Sequence, residues 1–201
     1  MATINFNPIS TVSNNWNIFP ASQGAHTVLS DSNVNSAIRT PGQSKECILE
    51  LDDFDDVGLD EASIASIDSI RHYVSGFLFN TRGGDTEIQV KLEDSSGTDL
   101  YSENHTLNFN GYTPEDHYGT ARTTSNGSDA WTVSDINGLR LSINTTPEDP
   151  PSLSQANVVK AYVEVTYTLA GYSNTVTGVA SANISTVNGV ATANIDKVNG
   201  V

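Results

Sequence analysis

Between Val158 and Leu169 the chain reads VVKAYVEVTYTL, with Ala161, Val163, Val165, Tyr167 and Leu169 at one parity and Lys160, Tyr162, Glu164, Thr166 and Thr168 at the other. A helix repeats its faces about every 3.6 residues, so a strict period of two places this segment in a half-buried strand. Three further segments alternate in the same way. They are Cys47, Leu49 and Leu51 between acids, Ile88, Val90 and Leu92 between polar residues, and Leu139, Leu141 and Ile143 between Arg140, Ser142 and Asn144. The run Ile70 to Asn80 is apolar on both parities in its second half and reads as a central strand covered on both sides, with Arg82-Gly83-Gly84-Asp85 expected to turn it into the next strand as a hairpin. His26–Leu29, Ser36–Arg39 and Glu103–Phe109 are weaker strand candidates.

About eight strands over roughly 145 residues, joined by loops bearing Pro and Gly, predict an all-β fold: an antiparallel β-sandwich or jelly roll. Ser, Thr and Asn make up roughly a third of the 201 residues, which suits short strands and many turns. One helical turn is expected after Trp131. Thr132 and Asp135 have capping-box spacing, Asn137-Gly138 supplies a stop, and Trp131 would plug one end of the sandwich. The sandwich is assigned to residues 23–170. Residues 1–22 form an N-terminal arm carrying Phe6, Trp16 and Phe19 without a strand pattern.

From Thr175 the sequence repeats an eleven-residue unit, TVTGVASANIS, then TVNGVATANID, then KVNGV. A glycine in each unit, twice preceded by Asn, opposes a helical hendecad and favours strands joined by Asn-Gly turns. The alternative is a flexible linker. As strands, the repeat has a narrow apolar side of small residues, and a ribbon of that size is marginal alone in water. Residues 171–201 are therefore read as a tail that mediates assembly. Its contacts would come from Val176, Val179, Ile184, Val187, Val190, Ile195 and Val198, together with Phe6, Trp16 and Phe19 of the arm.

Charge and composition exclude several functions. A formal charge of −15 opposes direct binding to nucleic acid or to an anionic bilayer. Cys47 is the only cysteine, so neither an intrachain disulfide nor a Cys-rich zinc site can form. No stretch approaches the roughly 20 apolar residues of a membrane span, and the opening residues lack the pattern of a secretory signal, so synthesis in a cytoplasm is the expectation.

No candidate for catalysis emerges. GxSxG, HExxH and phosphate-cradling loops are absent, and paired carboxylates are uninformative in so acidic a chain. No enzyme and no cofactor are expected. Glu46–Glu61 holds eight acids and no base, but the EF-hand spacing fails, leaving Asp53, Asp55 and Asp56 as the only calcium candidates beside the plainer reading of a solvated loop. The long stretch Asn110–Ala130 carries Tyr112, His117 and Tyr118, side chains suited to contacting a glycan or a neighbouring subunit.

The run Trp131–Ile143 (WTVSDINGLRLSI), followed by Val159–Tyr167 (VKAYVEVTY), resembles the closing half of β-sandwich structural proteins of tailed bacteriophages. In these a W-T-x-x-D-I-N-G-L segment precedes the penultimate strand and a Y-V-E-V-T-Y strand ends the domain. The tail, VNGVATANIDKVNGV, is similar to short repeats at the ends of phage virion proteins. Over residues 27–109 the resemblance is one of pattern only. It implies a non-catalytic virion component of the neck, tail, fibre or capsid surface, homo-oligomeric and bound to other virion proteins, and it transfers no catalytic residue. The alternative function is a glycan-binding, host-receptor module using the 110–130 loop.

Overall fold

The computed structural model describes residues 1–31, 33, 35–40, 45–78, 86–108, 112–125, 127–145, 155–170, 186–187 and 190–191. Eleven strands form two antiparallel sheets: β1 (Ala2–Phe6), β2 (Pro8–Asn14), β3 (Asn17–Phe19), β4 (Ala37–Arg39), β5 (Glu46–Leu51), β6 (Ile64–Leu78), β7 (Thr86–Glu93), β8 (Asp99–Leu107), β9 (Glu115–Tyr118), β10 (Arg140–Thr145) and β11 (Ala156–Leu169). Sheet one runs β3-β4-β11-β6-β9, with β1 pairing β11 at Val163–Tyr167, farther along the edge that β4 occupies at Asn157–Val158. Sheet two runs β2-β5-β10-β7-β8. The fold is an all-β sandwich.

The alternation read from sequence sets the core. Ala161, Val163, Val165 and Tyr167 of β11 turn inward against Leu49, Ile88, Val90, Leu141 and Ile143 of the second sheet, all but Tyr167 fully buried. Each buried Val or Leu contributes about 1.5–3 kcal/mol relative to exposure. Short helices close the ends. α1 (Ala25–Ser30) inserts Ala25, Val28 and Leu29, and α2 (Val133–Ile136) inserts Ile136 beside Trp131. At α2 the Thr132 side chain accepts from the Asp135 backbone while Asp135 accepts from the Thr132 backbone, the capping box expected from their spacing.

Four expectations are corrected. Residues 1–22 are no arm: β1 joins the first sheet, β2 the second, and Phe6 and Trp16 lie in the core at 0% and 4% exposure. They are therefore unavailable as assembly contacts. Phe19, 40% exposed, is in β3 under the Arg39 guanidinium. The strand pattern of β2 is concealed by register shifts between Pro8 and Ser10 and between Thr11 and Ser13, where an extra residue each time breaks the period of two. These N-terminal strands also raise the strand count above eight. His26–Leu29 is helical, because Ala25, Val28 and Leu29 recur at helical spacing. β6 and β7 belong to different sheets and so do not pair as a hairpin; Arg82–Asp85 lie outside the described residues. Finally, the 110–130 stretch is partly regular, since it contains β9 and a bridge between Thr124 and Ala130.

In the tail, β12 (Thr186–Val187) and β13 (Val190–Ala191) pair antiparallel, and the expected turn residues Asn188 and Gly189 lie outside the described residues. Val176, Val179, Ile184, Ile195 and Val198 lie outside the described residues.

Phe6 packs edge-on to Phe54, ring centroids 5.0 Å apart, and Phe54 in turn meets Tyr167 at 6.0 Å. Phe6→Ala should therefore cost about 3–5 kcal/mol, read as a lower urea midpoint with unchanged slope. An N-terminal arm would leave the midpoint unmoved.

Candidate functional site

β8 and β9 are the terminal strands of their respective sheets. β9 is only four residues long, and its alternation splits polar chemistry between two surfaces. Asp116 and Tyr118 point outward, and His117 points into the space between the sheets. The partner residues on β6 do the same, with Arg71, Tyr73 and Ser75 outward and His72 and Val74 inward.

The outward side of the first sheet carries a row of tyrosines from three neighbouring strands, of which Tyr73 and Tyr162 are buried at 7% and 8% exposure and Tyr118 alone is open to solvent. Tyr73 of β6 stacks on Tyr162 of β11 with centroids 4.4 Å apart and planes at 19°, and meets Tyr118 of β9 at 5.0 Å. The Arg71 guanidinium lies 4.6 Å above the Tyr118 ring and is paired with Glu164 at 2.6 Å, while the Lys160 ammonium sits 5.8 Å from the Tyr162 centroid. Tyr73 and Ser75 both donate to Asp116 Oδ1, at 2.7 and 2.8 Å, and these two bonds hold the Asp116 carboxyl below the usual carboxylate range. Burial, then the bond to Asp116, pushes the Tyr73 phenol up to about 12. Burial also raises Tyr162, with a hydrogen bond to Tyr118 adding to it. Tyr118 remains 48% exposed.

Beneath this row lies a polar layer within the sandwich. His72 Nε2 and His105 Nε2 are 2.6 Å apart, so one ring donates and the other accepts. Tyr101 Oη lies 3.3 Å from His72 Nδ1, its ring stacked on His72, and the Arg122 guanidinium lies over the same Tyr101 ring, 5.0 Å from its centroid. The His117 ring is 5.3 Å from that of His105, and its Nε2 is buried without a hydrogen-bond partner. Glu103 accepts from Thr120 N and Oγ1 at 2.8 and 3.1 Å. Burial works to raise that carboxyl, but the two Thr120 bonds and the nearby imidazoles outweigh it and the net shift is downward. His72 is fully enclosed, and burial with the neighbouring His105 pushes it down to about 4; burial and His117 lower His105 as well. Among the described residues no three His, Cys, Asp or Glu side chains stand in an arrangement that could hold a metal ion.

Of the three glycan-contact candidates, Tyr118 is on the outer surface. Tyr112, 54% exposed, stands edge-on to Phe77 at 6.1 Å, farther along the same face of β6. His117 is half-buried and turns its ring toward the interior layer. Tyr73, Tyr162, Asp116 and Arg71 were missed. Their signal in the sequence was an aromatic or charged residue at the outward parity of the two best strands, which is visible only once those strands are known to be neighbours. In the acidic loop, Asp53 Oδ1 and Asp56 Oδ2 accept from each other's backbone N–H, so both carboxylates serve as turn caps.

No family model matches the chain, and no curated protein matches it. Solved structures similar to it include an arabinose-bound GH51 α-L-arabinofuranosidase, at 10% identity and TM-score 0.44 over 80% of this chain and 23% of that one. This chain thus spans less than a quarter of that enzyme. The CBM32 of AlyQ in complex with 4,5-unsaturated mannuronic acid is similar at 10% identity and TM-score 0.41, over 80% of this chain and 97% of the other. The CBM22-1 xylan-binding domain of Paenibacillus barcinonensis Xyn10C is similar at 9% identity and TM-score 0.41, over 78% and 84%. The likeness is one of β-sandwich architecture.

An unfolded imidazole takes up its proton near pH 6.5, whereas folded His72 does so only at about 4. Between these values the unfolded chain binds more protons, so the stability His72 contributes is full above pH 6.5 and is lost as pH falls toward 4. Calorimetric melting temperatures should decline across that window. A flat profile from pH 6.5 to 4.5 would exclude a neutral buried His72.

Proposed function

We propose that this chain is a non-catalytic glycan-binding β-sandwich whose contact surface is the outer face of β9, β6 and β11. The observation that carries this reading is the half-exposed Tyr118 ring, backed by the buried Tyr73–Tyr162 stack and flanked by a carboxylate at Asp116 and by the Arg71–Glu164 pair. The C–H face of a sugar ring carries slight positive charge and packs on the negative face of an aromatic ring, while fixed carboxylate and guanidinium groups read the hydroxyls in its plane. Mounting these groups on paired strands spends little further entropy on binding. The charge of −15 favours a neutral glycan over a polyanionic one.

The same geometry supports binding without turnover. Glycoside hydrolysis needs a carboxyl group that can deliver a proton and a second one poised opposite it. Asp116 is held ionised by Tyr73 and Ser75, and Glu164 is occupied by Arg71. An array of neutral oligosaccharides should show saturable binding. Tyr118→Ala should weaken it about tenfold, equivalent to about 1.4 kcal/mol, with the melting temperature little changed because the ring is half exposed. Absence of saturable binding to any neutral glycan would refute this reading.

A second reading is favoured by the tail. The pairing of β12 with β13 and the likeness of Trp131–Val201 to phage virion proteins support a structural subunit at the neck, tail, fibre or capsid surface of a virion, self-associating or docked on other virion proteins. Glycan binding and this location are compatible. Deleting residues 175–201 should leave the sandwich melting unchanged and abolish incorporation into particles or self-association, scored by mass-spectrometric copy number and light scattering. Normal assembly of the truncated chain would reduce the tail to a linker.

A further inference from the structure

The two surfaces of β9 are joined by the chain itself. Tyr118 and Asp116, which serve the outer face, flank His117, which belongs to the interior histidine layer. β9 is held to β6 over only Tyr73–Gly76, and the chain after it is fastened by backbone bonds to β6, by the two Thr120 bonds to Glu103 and by Trp131 Nε1 donating to the Arg122 carbonyl. Gly119 N–H donates to the His72 carbonyl at 2.9 Å, and Arg122 exchanges backbone bonds with Ile70 at 2.8 and 2.9 Å. The Gly119 backbone lies flat against the imidazole of His72, where a Cβ would fall 2.4 Å from Cε1. Any movement of the His72 ring toward this strand therefore displaces Gly119, and Tyr118 with it.

The groups facing the His72–His105 contact are Tyr101 and Glu103 of β8, His117 of β9 and Arg122 of the following segment. Glu103 is the only carboxylate among them, and its oxygens are engaged by Thr120. Arg122 adds a fixed positive charge. The 2.6 Å contact between the two Nε2 atoms requires one N–H and one lone pair; a proton on both nitrogens would set two N–H groups head to head and two cations side by side on two buried rings. At neutral pH the pair is a bond that closes the edge of the sandwich. When both rings are charged it is a repulsion across the same edge.

We propose that this histidine layer is an acid-operated release for the outer face: protonation of His72 and His105 drives β9 and the segment to Arg122 off the edge of β6, dispersing the tyrosine row and freeing its glycan. This rests on the glycan-binding reading above. β9 is the element suited to move, being four residues long and paired on one side only.

Hydrogen exchange of the full chain without glycan tests the device, with rates corrected for the intrinsic effect of pH. Protection of the amides of residues 115–122 should fall about tenfold or more between pH 6.5 and 4.5, while β10 and β11 stay protected. His105→Gln, which keeps a hydrogen-bonding group but cannot be charged, should retain that protection in acid. Should this variant fail to fold, the wild-type profile decides alone. Unchanged protection of 115–122 down to pH 4.5, or loss in step with β10 and β11, overturns the proposal. In a second arm, binding of neutral oligosaccharides on an array is compared at pH 7 and 4.5. Binding at pH 7 that is lost at 4.5 supports the release, and equal binding at both overturns it. No binding at either pH removes the glycan reading and the release of glycan with it, while the exchange data still report separately whether the histidine layer opens.

Discussion

The rest of the molecule is organised around one antiparallel pairing, that of β6 with β11, whose register runs from Ala156 opposite Leu78 to Leu169 opposite Ile64. Both strands are long, and both present side chains to two environments. Inward, Ile70 and Val74 with Ala161, Val163 and Val165 make one wall of the core. Outward, Tyr73 and Tyr162 are brought side by side by direct cross-strand pairing, the arrangement in which side chains on a sheet interact most strongly. β1 and β4 then complete one edge of this pair and β9 the other. The register also carries three irregularities, and the one between Val158 and Lys160 frees Val159 to cluster with Ala37 and Phe77 on the outer side.

The cost of this design falls at the β8/β9 edge, where the apolar interior gives way to imidazoles. Buried polar groups are tolerable only when each finds a partner, and the layer nearly achieves this, with His72 bonded to His105, Tyr101 near His72, and Glu103 satisfied by Thr120. His117 Nε2 is the exception. A layer so balanced depends on its protonation state, whereas the Leu and Val layers beside it do not. Stability and the proposed binding surface are thus linked through a strand of four residues.

Legibility in the sequence followed the strength of the local signal. Leu49, Val74, Ile88, Val90, Leu141, Val163 and Val165 could be assigned to the core because uninterrupted alternation has one physical solution, and all are fully buried. The Thr132–Asp135 capping box was readable because its partners are three residues apart. β1 and β2 were not readable. β2 has two bulges within seven residues, which erase the period of two, and Phe6 owes its burial to Phe54 and Tyr167, residues far away along the chain. Tyr118 was identifiable as a candidate contact from its setting among polar residues, but its companions Tyr73 and Tyr162 were indistinguishable from ordinary strand residues.

The sequence by itself determined the fold class, the inward parity of the main strands, the capping chemistry at α2 and the acidity that disfavours polyanionic partners, since each depends on neighbours within a few residues or on composition alone. The tertiary structure decided strand order, which sheet each N-terminal strand joins, and the convergence of His72, His105 and His117 from three strands. These are long-range choices, fixed by which hydrophobic faces pack together and in what register. A one-residue slip in that register would turn Tyr73 into the core and His72 out to solvent with no change in any local propensity.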